Sequence, residues 1–187
     1  MVADLNRWND RIIAEFRANA GHVAWSGDDD LAEGRPVPPR PPGFDACRGA
    51  PIILVHHAGA KTGIERVNPL MYQPVGDDFA VFATYGGSPR HPAWYRNLTA
   101  NPRSTVEVGT DRVPVLARLV EGAKRERIWG KQVALMPAFA AFEAAAGRRI
   151  PVVLLQRVGV LSRYFRRRHG GGPVTGRRTR RPGSARR

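Results

Sequence analysis

Leu5, Trp8, Ile12 and Phe16 recur at three- and four-residue spacing, which predicts an amphipathic helix over Ala3 to Asn19 with one face against the body of the protein. Asp4 stands in its first turn, where a carboxylate complements the helix dipole, and Gly21 supplies a stop. Trp25 to Gly49 has no sustained period and carries Pro36, Pro38, Pro39, Pro41 and Pro42, so it reads as an exposed extended loop. Pro51 to His57 is a short apolar run, the pattern of a buried strand. Val67 to Pro74 and Phe79 to Thr84 form a hairpin about Gly76-Asp77-Asp78, and Thr105 to Val108 pairs with Val113 to Val120 across Gly109-Thr110-Asp111. A short helix is predicted over Ala93 to Ala100. Glu121 to Ala146 is predicted as a long helix that Pro137 kinks or splits, and Ile150 to Leu155 as the last strand. About six hairpin strands with helices outside them define an α+β chain whose antiparallel sheet is suited to closing into a small barrel.

Length changes the picture little: 187 residues suffice for one domain with one sizeable core. Charge changes it more. The net charge is +14, but Ser162 to Arg187 holds ten arginines and no acid, which leaves about +4 on the rest. The expected organisation is a barrel domain over 1–161, with 25–49 as a proline-rich insertion, and a disordered Arg-rich tail over 162–187. The single cysteine, Cys47, excludes an internal disulfide framework and any multi-cysteine zinc site. No apolar run approaches the roughly 20 residues of a membrane span, and the first residues lead straight into the helix pattern without a signal-peptide core. A cytoplasmic location is expected, with the tail free to touch the inner membrane face.

Chemistry concentrates in two stretches. In the first, a strand enters Gly59-Ala60-Lys61-Thr62-Gly63 and another strand leaves it past Arg66. Two glycines free the backbone amides to face one concavity, and Lys61 and Arg66 add positive charge, which suits a phosphate. The spacing is not that of a Walker loop, and a tight turn with solvated cations is the plain alternative. In the second, Ala83-Thr84-Tyr85-Gly86-Gly87-Ser88 ends a strand, where paired glycines admit a flat ligand close to the backbone. Pro92 then opens the helix bearing Trp94, Asn97 and Leu98. His56 and His57 are neighbours on a strand and face opposite ways, so they read as pairing residues and not as joint metal ligands. Asp28, Asp29 and Asp30 read as a solvated acidic turn, and no metal site is expected.

The ordered set Gly59-Ala60-Lys61-Thr62-Gly63, Arg66, Asn68-Pro69-Leu70, Gly86-Gly87, His91-Pro92-Ala93-Trp94-Tyr95-Arg96-Asn97-Leu98 and Ala100-Asn101-Pro102 closely resembles the deazaflavin-dependent nitroreductase family. Val106-Glu107-Val108-Gly109 and Arg149-Ile150-Pro151-Val152-Val153 extend the likeness, which runs from Pro51 to Leu155 and includes the first helix. The resemblance implies a split β-barrel, coenzyme F420 (an 8-hydroxy-5-deazaflavin) as cofactor, and hydride transfer to a quinone, enone or nitroaromatic. It assigns Lys61, Thr62, Gly63 and Arg66 to the phosphate and tail. It assigns Pro69, Leu70, Ala83, Thr84 and Gly87 to the deazaflavin, with Trp94 and Asn97 supporting that wall. Where some relatives carry tyrosines on the long helix, this chain has Phe139 and Phe142, so Tyr72, Tyr85, Ser88 or water would have to deliver the proton. Tyr85 also stands where relatives often have lysine.

Two other readings follow from the residues. The same barrel also serves as a non-catalytic binder of flavin, haem or lipid, and fold alone does not fix function. The basic tail would bind any polyanion, nucleic acid or anionic membrane, in a salt-sensitive way. Neither the oligomeric state nor the physiological acceptor is legible.

Overall fold

The computed structural model describes residues 2–23 and 49–159; the proline-rich segment and the Arg-rich tail lie outside the described residues. Six strands run antiparallel: β1 (Ile52–Ala58), β2 (Glu65–Val75), β3 (Asp78–Phe82), β4 (Arg103–Val108), β5 (Asp111–Val120) and β6 (Val152–Arg157). They close in the order β1-β2-β3-β6-β5-β4, and β4 pairs back onto β1 through Leu54 opposite Glu107 and His56 opposite Thr105. Closure removes every sheet edge. The helices are α1 (Val2–Ala18), α2 (Ala93–Ala100), α3 (Gly122–Leu135) and α4 (Ala138–Ala146).

Side-chain alternation along the strands sorts the core into three. Ile53 and Val55 of β1 point inward and meet Val81, Val106, Val115 and Leu155, and α2 lays Trp94 and Leu98 against this interior cluster. Ile52 and Leu54 point outward and are covered by Trp8, Ile12 and Phe16 of α1. On the other outer flank, Ala80, Phe82, Val152 and Leu154 are covered by Ile128 and Trp129 of α3 and Phe139 of α4. The amphipathic periods of the sequence therefore name the faces that become buried.

Pro137 splits the predicted long helix instead of kinking it. α3 ends at Leu135, Met136 leaves helical geometry at φ −141°, and Pro137 starts α4 at the position where its missing N–H costs nothing. Several strands run a residue or two beyond their apolar runs, as β2 does from Glu65 where Val67 was expected, because the hydrogen-bonded ladder carries charged residues out past the core. Gly21 ends α1 as expected, with φ +91° and its amide bonded to Phe16 O at 2.8 Å. It also meets Gly109: a Cβ on Gly21 would come within 2.4 Å of the Gly109 Cα. Only glycine lets the helix end touch the β4–β5 turn.

Candidate functional site

The loop between β1 and β2 is closed at its base by two backbone bonds, Gly59 N–H to Ile64 O at 2.9 Å and Gly63 N–H to Gly59 O at 2.8 Å. Gly63 sits at φ +67° with open space where a Cβ would be. Thr62 Oγ1 accepts from Ile64 N–H at 3.4 Å. Lys61, Thr62, Gly63 and Arg66 are all exposed, and among the described residues neither cation has a carboxylate partner. The result is a glycine-shaped turn carrying two exposed positive charges, which suits an anionic group.

Behind that loop stands a hydrogen-bonded chain. Ala60 N–H donates to Asn97 Oδ1 at 2.9 Å, Asn97 Nδ2 lies 3.0 Å from His57 Nδ1, and His57 Nε2 lies 2.8 Å from Asn68 Oδ1. Asn97 is buried on α2, so both ends of its amide are engaged by the protein and its effect is to hold the loop. Burial, first of all, holds the His57 ring below the usual imidazole range; its bond to Asn68 acts the other way, and the positive charge of Arg66 adds to the lowering.

The segment from Ala83, just past the end of β3, forms the second part. Thr84 is right-handed, and Tyr85, Gly86 and Gly87 follow at φ +51°, +62° and +80°. A tyrosine held in left-handed geometry is strained, and such strain gathers where a loop serves a ligand. Gly87 faces α4, where a Cβ would come within 3.1 Å of Ala145 Cβ, so the glycine permits close docking of turn on helix. Ala83 and Trp94 are in the interior core, while Thr84 is half-buried. Leu70 faces the same interior and its neighbour Pro69 faces the other way, so the two reach a common ligand only through backbone. Of the three hydroxyls, Tyr72 stands edge-on to Phe79 at 5.4 Å against the barrel interior, Tyr85 is 41% exposed, and Ser88 Oγ accepts the Arg90 N–H at 3.2 Å.

Sequence reasoning missed Arg148. Its Nη2 donates to Ala83 O at 3.0 Å and Arg90 O at 3.1 Å, so it clamps both sides of the Tyr85–Gly87 turn from 58–65 residues away. It also missed the outer cluster at β1. The two ring nitrogens of His56 meet Glu65 Oε1 at 2.7 Å and Glu107 Oε1 at 2.6 Å, and Arg17 of α1 grips Glu107 through two bonds of 3.1 and 2.6 Å. His56 and His57 thus serve opposite faces, as alternation requires. Two clefts, of about 720 and 410 Å³, lie apart from the loop, one against α3 and α4 beside Trp129 and Arg148, the other between the end of α1 and the β4–β5 turn. Among the described residues no His, Cys, Asp and Glu group could hold a metal.

The Arg17 bond, foremost, lowers the Glu107 carboxyl to about 2; burial opposes this, and the His56 contact adds to it. With the native value below the ordinary 4.5, the contribution to stability is complete above pH 4.5 and disappears as pH falls toward 2. At about 1.4 kcal/mol per pH unit the full effect would be roughly 3 kcal/mol, and the half-exposed state of Arg17 screens it to about 1–2. Glu107→Gln is expected to lose about that much at pH 7 and almost nothing near pH 2, read by urea unfolding at both. Equal losses at the two would show that the ionised carboxylate is not what is felt.

These parts define a class: a closed antiparallel barrel with a cationic glycine loop and a clamped glycine turn, a scaffold suited to binding a flat ligand with an anionic end. Residues 44–157 match the family model for F420H(2)-dependent quinone reductase, and the chain belongs to that family. Its cofactor is coenzyme F420, and it is an F420-dependent oxidoreductase. An F420H(2)-dependent quinone reductase of Mycobacterium tuberculosis is 31% identical over 159 residues, which cover 82% of this chain and 99% of that protein. A solved F420-H2 dependent reductase is 38% identical, covering 57% of this chain and 94% of its own with a TM-score of 0.53. A second solved structure, described as a domain-swapped dimer, is 32% identical, covering 81% and 98% with a TM-score of 0.54. The expected α+β barrel and the expected family are both borne out. No helix among the described residues is long and apolar enough to cross a membrane.

Proposed function

We propose that the chain reduces a quinone with F420H2, and that its binding site runs from the Lys61–Arg66 loop to the Tyr85–Gly87 turn. The observation that carries this is the loop: a glycine at φ +67° with exposed Lys61 and Arg66, neither paired with a carboxylate among the described residues, fits the phosphate and acidic tail of the cofactor. Lys61, Thr62, Gly63 and Arg66 hold that end. Ala83, Thr84 and Gly87, with the Pro69–Leu70 backbone, wall the ring, Trp94 braces that wall from α2, and Asn97 supports it through the loop it holds. When bound, the reduced cofactor supplies a hydride to the acceptor. The chain's own task is to hold the two flat molecules in contact, keep water away, and deliver one proton to the acceptor oxygen. Tyr85 and Ser88 offer hydroxyls at the turn, and Ser88 keeps its proton to donate because its oxygen is the acceptor in its bond to Arg90. Tyr72 stands further in, against Phe79.

Enones and nitroaromatics are acceptors of the same chemistry and extend the reading to a nitroreductase activity. The test is consumption of F420H2, followed at the deazaflavin absorbance, with menadione, a cyclic enone and a nitroaromatic at equal concentration. Quinone-dependent consumption with the others slower supports the assignment. Oxidation at the same rate without any acceptor, or with enone alone, refutes it.

A further inference from the structure

The chain of hydrogen bonds behind the loop has a fixed direction. Ala60 N–H can only donate, so the group it meets at 2.9 Å must be Asn97 Oδ1. Asn97 therefore presents its NH2 to His57 Nδ1, and that nitrogen must be a lone pair. The ring proton then sits on Nε2 and donates to Asn68 Oδ1 at 2.8 Å. One tautomer of one protonation state satisfies all three contacts. A proton on Nδ1 sets two donors face to face. Either Asn97 turns and presents its NH2 to the Ala60 N–H, or the loop moves off.

We propose that His57 is a positioning residue for the cofactor: its neutral form latches the Ala60 amide through Asn97 and so fixes the Gly59–Gly63 loop, and its protonation releases that loop. The proposal rests on the reading that this loop holds the phosphate end of F420. Asn97 comes from α2 and Asn68 from β2, so the latch ties three elements to the loop base. The charged or titratable groups that act on the ring are Arg66, directly opposite on β2, and His56, next to it on β1; the groups that face it from α2 and β2 are the neutral amides of Asn97 and Asn68. Burial of the ring, foremost, and the Arg66 charge oppose a proton there and the Asn68 bond favours it; with the net effect a lowering, the latch holds at neutral pH and opens below the usual imidazole range.

The experiment has two arms. In the ligand-free protein, hydrogen exchange of the Ala60 amide is followed from pH 7.5 to 4.5, corrected for intrinsic exchange and compared with Val55 in the barrel interior. Protection at Ala60 is expected to fall by at least about tenfold while Val55 keeps its own. In the second arm, F420 affinity of the parent and of His57→Gln is measured over the same range. Glutamine accepts from Asn97 and donates to Asn68 without titrating, so the ratio of the two dissociation constants cancels the titration of the cofactor itself. That ratio is expected to rise about tenfold toward low pH. Unchanged Ala60 protection overturns the latch, and a flat ratio overturns its role in positioning. If the variant does not fold, the parent's Ala60 profile decides. If F420 binds neither protein at any pH while Ala60 follows the proton, the latch stands and the cofactor reading falls.

Discussion

Alanine at Lys61 or at Arg66 will weaken F420 binding by on the order of 10- to 100-fold each, without a change in melting temperature. Each side chain is exposed and free of carboxylate partners among the described residues, so neither contributes to the fold through an ion pair. The loop keeps its shape through backbone bonds at Gly59 and Gly63 and through Ala60 to Asn97, none of which involves these side chains. On the proposed site, what each variant would remove is a charge-assisted contact to the cofactor's anionic end, worth about 1.5–3 kcal/mol. Arg66 lies at a fixed register on β2, opposite His57, and its planar guanidinium can grip an oxyanion through two N–H groups, so its loss should cost more. Fluorescence titration with F420 reads the result. Parental affinity in both variants would place the phosphate elsewhere.

The largest effect on stability is expected from Arg125→Leu, at about 3–5 kcal/mol. Arg125 is 4% exposed on the inner face of α3. Its Nη2 donates to Glu143 Oε1 at 2.7 Å and to Ile150 O at 3.0 Å, and its guanidinium lies 4.6 Å from the Trp129 ring centre. Glu143 also accepts the Ile150 N–H at 2.8 Å, so one ion pair joins α3, α4 and the entry to β6. Removing the cation leaves the Glu143 carboxylate without its charge partner and Ile150 O without its donor. For a domain of this size the melting temperature should fall by roughly 10 °C. Arg125→Leu combined with Glu143→Leu should recover part of the loss, because apolar replacement of both partners avoids the uncompensated charge. A single variant that melts like the parent would show that the pair contributes nothing net.

Much of this was legible in the sequence for a plain reason: local periodicity and turn residues are local facts. The three- and four-residue spacing of Trp8, Ile12 and Phe16 became the buried face of α1. The alternation that put His56 and His57 on opposite faces became two separate networks. Pro137 marked the break between α3 and α4. The pairings β3–β6 and β1–β4 left no such trace, since nothing in either strand specifies a partner so far along the chain. The same holds for Arg17 on Glu107, separated by 90 residues, and for Arg148 on Ala83. Arg125 was within reach of inspection, because it shares the helical face of Ile128, Trp129 and Gln132, and a lone charge among apolar neighbours calls for a buried partner. The left-handed backbone at Tyr85 was not, since only the glycines beside it advertise that geometry.

In the proposed site, this barrel and its cationic loop hold a deazaflavin. The most direct measurement is a fluorescence titration of the purified protein with F420 and, in parallel, with flavin mononucleotide. Saturable binding of F420 is expected, diminished by Lys61→Ala and Arg66→Ala, with flavin mononucleotide far weaker. Tight binding of flavin mononucleotide with no response to F420 would contradict it.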